Sequence, residues 1–143
     1  NNPLTVMPKY TLENCPPADI LVIPGGQGTR SAVNRPAVIH WLAERAVAAE
    51  LMTSVCTGSF LLAQAGLLEG KATTTHWGSI QRMRDDFPGL KVLVIVRWVD
   101  EGDVVCSAGV SAGIDMALYV LQRLYGSEYA AGVARHMEYD HWA

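Results

Sequence analysis

The chain has 143 residues, half of them apolar and 17% charged, with a formal net charge of −3, which suits one globular domain with a substantial core. That composition is neither disordered nor collagen-like, and no apolar run is long enough for a bilayer-spanning helix. Basic residues form nothing larger than isolated pairs, so the sequence predicts no nucleic-acid binding through this segment.

In chain order, "ADILVIPGG" (Ala18 to Gly26) is rich in Ile and Val and ends in Pro and Gly, which predicts a buried parallel strand. "RPAVIHWLAERAVAAE" (Arg35 to Glu50) has helical periodicity through Val38, Leu42, Ala46 and Ala49, and Pro36 fits a first turn. Leu51, Met52, Ser54 and Val55 read as the end of a buried strand. After Cys56, the residues Phe60, Leu61, Leu62, Ala65, Leu67 and Leu68 recur at helical intervals, punctuated by Gly66 and Gly70. "KATTTHW" (Lys71 to Trp77) is expected to be extended and to lead into a short helix around Ile80 to Phe87. "LKVLVIVRWVDEGDVVCSAG" predicts two strands around a turn at Asp100 to Asp103. Two amphipathic helices follow, Ser111 to Gly126 and Ser127 to Tyr139. Strands alternating with helices predict an α/β fold whose chemistry lies beyond the carboxyl ends of the strands. Cys56, Pro24 to Gly26 and Ser107 to Gly109 all fall at such ends.

The junction S-V-C-T-G at residues 54 to 58 is a cysteine version of the nucleophile elbow. A residue on a sharp strand-to-helix turn is forced toward strained angles, and its neighbours two positions away must be small. Ser54 and Gly58 meet that need. The turn lifts the side chain clear of the sheet and sets it against a helix N-terminus, which favours the reactive thiolate. The alternative is a buried cysteine packing as a small hydrophobe.

Negative charge developing on a substrate needs donors, for which the Thr57 N–H and the Gly25-Gly26-Gln27 turn are candidates. His76 is a candidate base, proton shuttle or thiolate partner, with a surface or core histidine as the alternative. Trp77 is either the wall of a small apolar pocket or a core residue. Asp115 is read as a carboxylate at the positive end of a helix dipole rather than as catalytic. Ser111 and Gly113, at the same helix start, border the expected pocket. The three cysteines are odd in number and lack paired spacings, which predicts a reducing compartment, with Cys15 and Cys106 structural. His40, His136 and His141 have no ligand spacing, so no metal site is assigned.

Together "PPADILVIPGG", "SVCTGSFLLAQAGLLEGKATTTHW" and "SAGVSAGIDMAL" resemble the DJ-1/PfpI superfamily of glutamine amidotransferase-like folds. The likeness runs from about Thr11 to Trp142, and is strongest to its isocyanide hydratase-like branch and to the sensor domains of AraC-type regulators. It implies a flavodoxin-like three-layer sandwich, a largely parallel sheet over a single domain spanning 1–143, and a cytoplasmic homodimer. It also implies Cys56 as nucleophile with His76 at the active site, and Gly25, Gly26 and Thr57 as the backbone-amide pocket. Trp77, Val110 and Ser111 would then line the substrate pocket, with no cofactor and no metal. Family members also use a Glu or Asp near the end of the first strand, for which this sequence offers no counterpart. The chain is accordingly expected to lack the family's N-terminal strands.

Two functions of different classes follow from that resemblance. One is a cysteine-dependent lyase or hydrolase, foremost hydration of an isocyanide to an N-substituted formamide through a Cys56 adduct. The other is a small-molecule-sensing domain, with redox sensing by a reactive cysteine as a third possibility.

Overall fold

The computed structural model describes residues 4–140; His141 and Trp142 lie outside them. A central sheet is built from β1 (Ile20–Ile23), β2 (Leu51–Val55), β5 (Trp98–Asp100) and β6 (Val104–Ser107) in the order β1-β2-β6-β5. The first two pairings are parallel, with Ile20 opposite Leu51 and Ser54 opposite Cys106. The β5–β6 pairing is antiparallel, a hairpin turning at the expected Glu101-Gly102 bend.

Helices cover both faces of this sheet. On one face Met52, Val104 and Cys106 pack against α2 (Pro36–Ala48) and α3 (Ser59–Gln64) through Leu42, Phe60, Leu61 and Leu62. On the other, Leu51 and Val105 meet Met116 and Val120 of α5 (Ser111–Tyr125). Neighbouring residues of one strand thus serve opposite layers, as the period-two alternation of a strand requires. The expected helical stripe of α2 is the stripe that packs: Val38, Leu42 and Ala46 join the core, as does Ala49 just past the end of the helix. Pro36 opens that helix at its first turn, where its missing N–H costs nothing. The remaining α-helices are the short α1 (Thr29–Ala32), α4 (Ile80–Asp86) and α6 (Ser127–His136).

Two expectations are corrected. The strand Ile20–Ile23 is parallel but not buried: Val22 is 58% exposed, because among the described residues no strand pairs with its outer edge. The apolar run "LKVLVIV" is also not one continuous strand. Only β4 (Lys91–Val92) pairs, parallel to β3 (Ala72–Thr73), in a separate two-stranded sheet. The ladder ends where the Thr74 hydroxyl donates to the Leu93 carbonyl, 3.1 Å away, and Ile95 then adopts a left-handed φ of +59°. Hydrophobic residues freed there face a cavity rather than a neighbouring strand.

Candidate active site

Cys56 closes β2 and opens a single 3-10 turn, Cys56–Gly58, that runs into α3. Its φ is +58°, a left-handed conformation that a residue with a Cβ rarely adopts. Neighbours hold it there from both sides. The Cys56 N–H donates to the Ala108 carbonyl at 3.2 Å, while its own carbonyl accepts from the Ser59 and Thr75 hydroxyls at 3.1 and 2.9 Å. Gly58 is required by close approach: a Cβ there would lie 2.2 Å from the Ile23 carbonyl oxygen. The cysteine is half-buried, in contrast to the fully enclosed Cys106. Since α3 is only six residues long, the macrodipole behind Cys56 is a short one.

The turn after β1 presses against this cysteine. A Cβ on Gly25 would come within 2.7 Å of the Cys56 Cβ and 2.9 Å of the Thr57 nitrogen, so only glycine fits. Gly25 is therefore packed against the backbone of the Cys56-Thr57 junction. The Gly26 N–H is committed elsewhere, donating to Thr57 Oγ1 at 3.0 Å. The Thr29 hydroxyl, itself buried, sits within 3.0 Å of the same oxygen and donates to the Gly26 carbonyl at 2.8 Å. This network pins the glycine turn onto the Thr57 side chain.

His76 follows Thr75 directly, so the hydroxyl bond to the Cys56 carbonyl ties the histidine's segment to the cysteine's turn. Its Nδ1 accepts the Gly78 N–H at 3.2 Å, which puts the proton of the neutral ring on Nε2. The Cδ2 edge of the ring abuts Gly109 so closely that a Cβ there would be 2.4 Å from Cδ2. Trp77 is 82% exposed and does not belong to the core. It borders a cavity of about 400 Å³, shared with Thr74, Thr75, Ile80, Ala108 and the segment Val94 to Val96. No charged side chain lines this space. Val110, 80% exposed, and the exposed Ser111 are not among its walls.

Asp115 does not sit in the first turn of α5; it lies one turn in and is 6% exposed. It forms an ion pair with Arg97, with Tyr139 donating to its second oxygen at 2.7 Å. Thr75, Arg97 and the cavity-lining Val94 to Val96 had no distinguishing signal in the sequence, since "TTT" and "VIVRW" read only as extended chain. Among the described residues, no three His, Cys, Asp or Glu side chains converge as metal ligands would. Among the same described residues no helix is long and apolar enough to cross a membrane.

A mostly parallel α/β sheet that ends a central strand in a strained, half-exposed cysteine, backed by glycines and a nearby histidine, defines a protein of the thiol-elbow class. The sequence profile of the DJ-1/PfpI family matches residues 2–123, and the chain belongs to that family. It is 37% identical to isonitrile hydratase of Pseudomonas putida over 137 residues, covering 95% of this chain and 58% of that protein. It is 31% identical to the HTH-type transcriptional regulator GbdR of Pseudomonas aeruginosa, covering 96% of this chain and 37% of the regulator. Among solved structures, a THiJ/PfpI family protein from Pseudomonas syringae superposes with a TM-score of 0.86 at 34% identity, over 96% of this chain and 56% of that one. Drosophila melanogaster DJ-1beta shares the fold at a TM-score of 0.71 and 22% identity, over 88% of this chain and 66% of that one. The chain thus spans little more than half the length of the hydratase and about a third of the regulator.

Proposed function

We propose that this chain carries the nucleophile of an isonitrile hydratase-like lyase. The observation that carries the reading is Cys56 itself: a half-buried thiol held at φ +58° at the carboxyl end of a central strand. Likeness to a protein named isonitrile hydratase over 95% of the chain supports it. In this reading the Cys56 sulfur bonds to the terminal carbon of the isocyanide, and the thiol proton ends on that carbon, giving a thioimidate. Water then adds across the C=N bond, the C–S bond breaks, and an N-substituted formamide leaves with the thiol restored. His76, with its proton on Nε2, donates a hydrogen bond to the substrate nitrogen, which takes its proton from the added water. The amides around Gly25 and Thr57 receive charge developing in the adduct, and the uncharged cavity beside Trp77 takes the N-substituent. Assembly as a cytoplasmic homodimer belongs to the same proposal.

Matches to HTH-type regulators over nearly the whole chain favour a second reading, in which the site binds a small molecule without turnover. One experiment separates them. The intact protein is mixed with an alkyl isocyanide while formamide is followed by NMR, alongside Cys56→Ala. Catalytic formamide release that the substitution abolishes supports the lyase. Saturable binding without formamide refutes it in favour of sensing.

A further inference from the structure

We propose that Asp115 and Arg97 are positioning residues for Cys56, acting as a clamp on the turn Ala108 to Ser111. The inference rests on the reading of Cys56 as a nucleophile and extends it to two side chains, Arg97 and Asp115, that are not walls of the cavity.

That turn supports the site at two points. Its Ala108 carbonyl accepts the Cys56 N–H, and its Gly109 abuts the Cδ2 edge of the His76 ring. It also contains Val110 at φ +43° and ψ −95°, a backbone conformation that a β-branched residue adopts only when its surroundings impose it. Arg97 reaches both sides of that strained residue. Before it, the Arg97 carbonyl accepts the Ala108 N–H at 2.9 Å, extending the β5–β6 ladder past the Trp98–Ser107 pair. Beyond it, the guanidinium donates to the Ser111 hydroxyl at 3.2 Å.

The guanidinium is aimed by Asp115. This carboxylate is almost fully buried, yet each oxygen has a partner: Arg97 on Oδ2 and the Tyr139 hydroxyl on Oδ1. A buried carboxylate with both oxygens engaged is a fixed anchor, and a planar guanidinium docked on it is fixed in turn. Position is therefore transmitted from Asp115 to Arg97, from Arg97 to the turn, and from the turn to the cysteine amide and the histidine ring. The Asp100–Tyr119–Arg123 cluster uses the same chemistry on the same strand and helix, but bonds to no residue of this turn. It supplies a matched control.

The test measures the second-order rate at which iodoacetamide alkylates Cys56 in the native protein, read on the Cys56 peptide by mass spectrometry. Arg97→Met is expected to slow alkylation about tenfold, less than a full ångström of misplacement costs. Asp115→Asn slows it less, and the double variant is no slower than Arg97→Met, because the two act in series. Arg97→Lys restores part of the rate, and Arg123→Met leaves it unchanged. Should Arg97→Met fail to fold, Ser111→Ala removes only the contact to the turn and buries no charge; about a threefold loss is expected from one hydrogen bond. Folded variants that alkylate within twofold of the parent rate overturn the inference, as do losses that multiply in the double variant or an equal loss in Arg123→Met. The readout needs no isocyanide. A protein that makes no formamide but shows the serial pattern refutes the lyase reading alone, whereas an active hydratase with independent losses refutes only the clamp.

Discussion

The Thr75 hydroxyl donates to the Cys56 carbonyl at 2.9 Å, joining the segment that carries the histidine to the turn that carries the thiol. Thr75 is itself fully buried, so the donor side of the bond is shielded from water. Thr75→Val keeps the volume but removes the donor. It is expected to cost about 1 kcal/mol in urea unfolding and to lower Cys56-dependent turnover several-fold. Thr75→Ser keeps the donor and should retain most of the turnover. Equal turnover in the two variants, each checked for folding, would refute the link.

Gly58 is the residue that lets the elbow close. Because an added methyl would lie 2.2 Å from a backbone oxygen of β1, no rotamer change relieves the clash; the strand and the turn must separate. Gly58→Ala is therefore expected to destabilise the protein by at least about 3 kcal/mol, the upper part of the range for overpacking. Thermal denaturation followed by circular dichroism gives the measurement. A melting temperature close to that of the parent would mean the junction is looser than its geometry.

Much of this was legible from residue pattern alone, and the reasons differ by element. The apolar stripe of α2 and the buried run of β2 are periodic signals set by the core that they face, and both appear where expected. The Cys56 turn was legible because sterics around a left-handed residue demand small neighbours, a constraint that lies within five positions of sequence. The course of "LKVLVIV" was not. A run of β-branched residues reads as a buried strand whether its partner is another strand or a cavity, and here Val94 and Ile95 border the space beside Trp77. Asp115 failed for a similar reason. A carboxylate near a helix start fits the dipole, and nothing local reveals that Arg97, 18 positions earlier, folds back onto it.

Gly109 gives the histidine its place. A methyl added there would sit 2.4 Å from the His76 Cδ2 carbon, but the obstruction is a side chain and can yield by rotation. Gly109→Ala is thus expected to leave the fold intact while swinging the imidazole off its seat and breaking the Gly78 N–H to Nδ1 bond. Two-dimensional NMR of the imidazole should show a changed Nδ1 environment, with turnover reduced up to about tenfold, the loss expected of one hydrogen bond. An unchanged imidazole spectrum would mean that the ring does not depend on this contact.

At alkaline pH the fully buried Cys106 is expected to make stability depend on pH. Enclosure between the sheet and its helices pushes its thiol above the ordinary value of 9.0, with the Ser54 and Thr73 hydroxyls only partly opposing the effect. Tyr119 is also raised, first by its hydroxyl bond to Asp100 and then by burial. Both groups hold their protons more tightly in the folded chain than in the unfolded one. Their contribution is therefore complete below the unfolded values and is lost as the pH climbs from there through the raised folded values. Urea unfolding should give constant stability up to about pH 9 and then a decline, approaching about 1.4 kcal/mol per pH unit for the cysteine alone. Cys106→Ala removes that group from the balance, so its stability should decline less steeply above about pH 9, with Tyr119 and Tyr139 still contributing to the slope. If parent and variant decline in parallel, the Cys106 thiol ionises as readily inside the protein as outside it, and the enclosure described for β6 does not hold in solution.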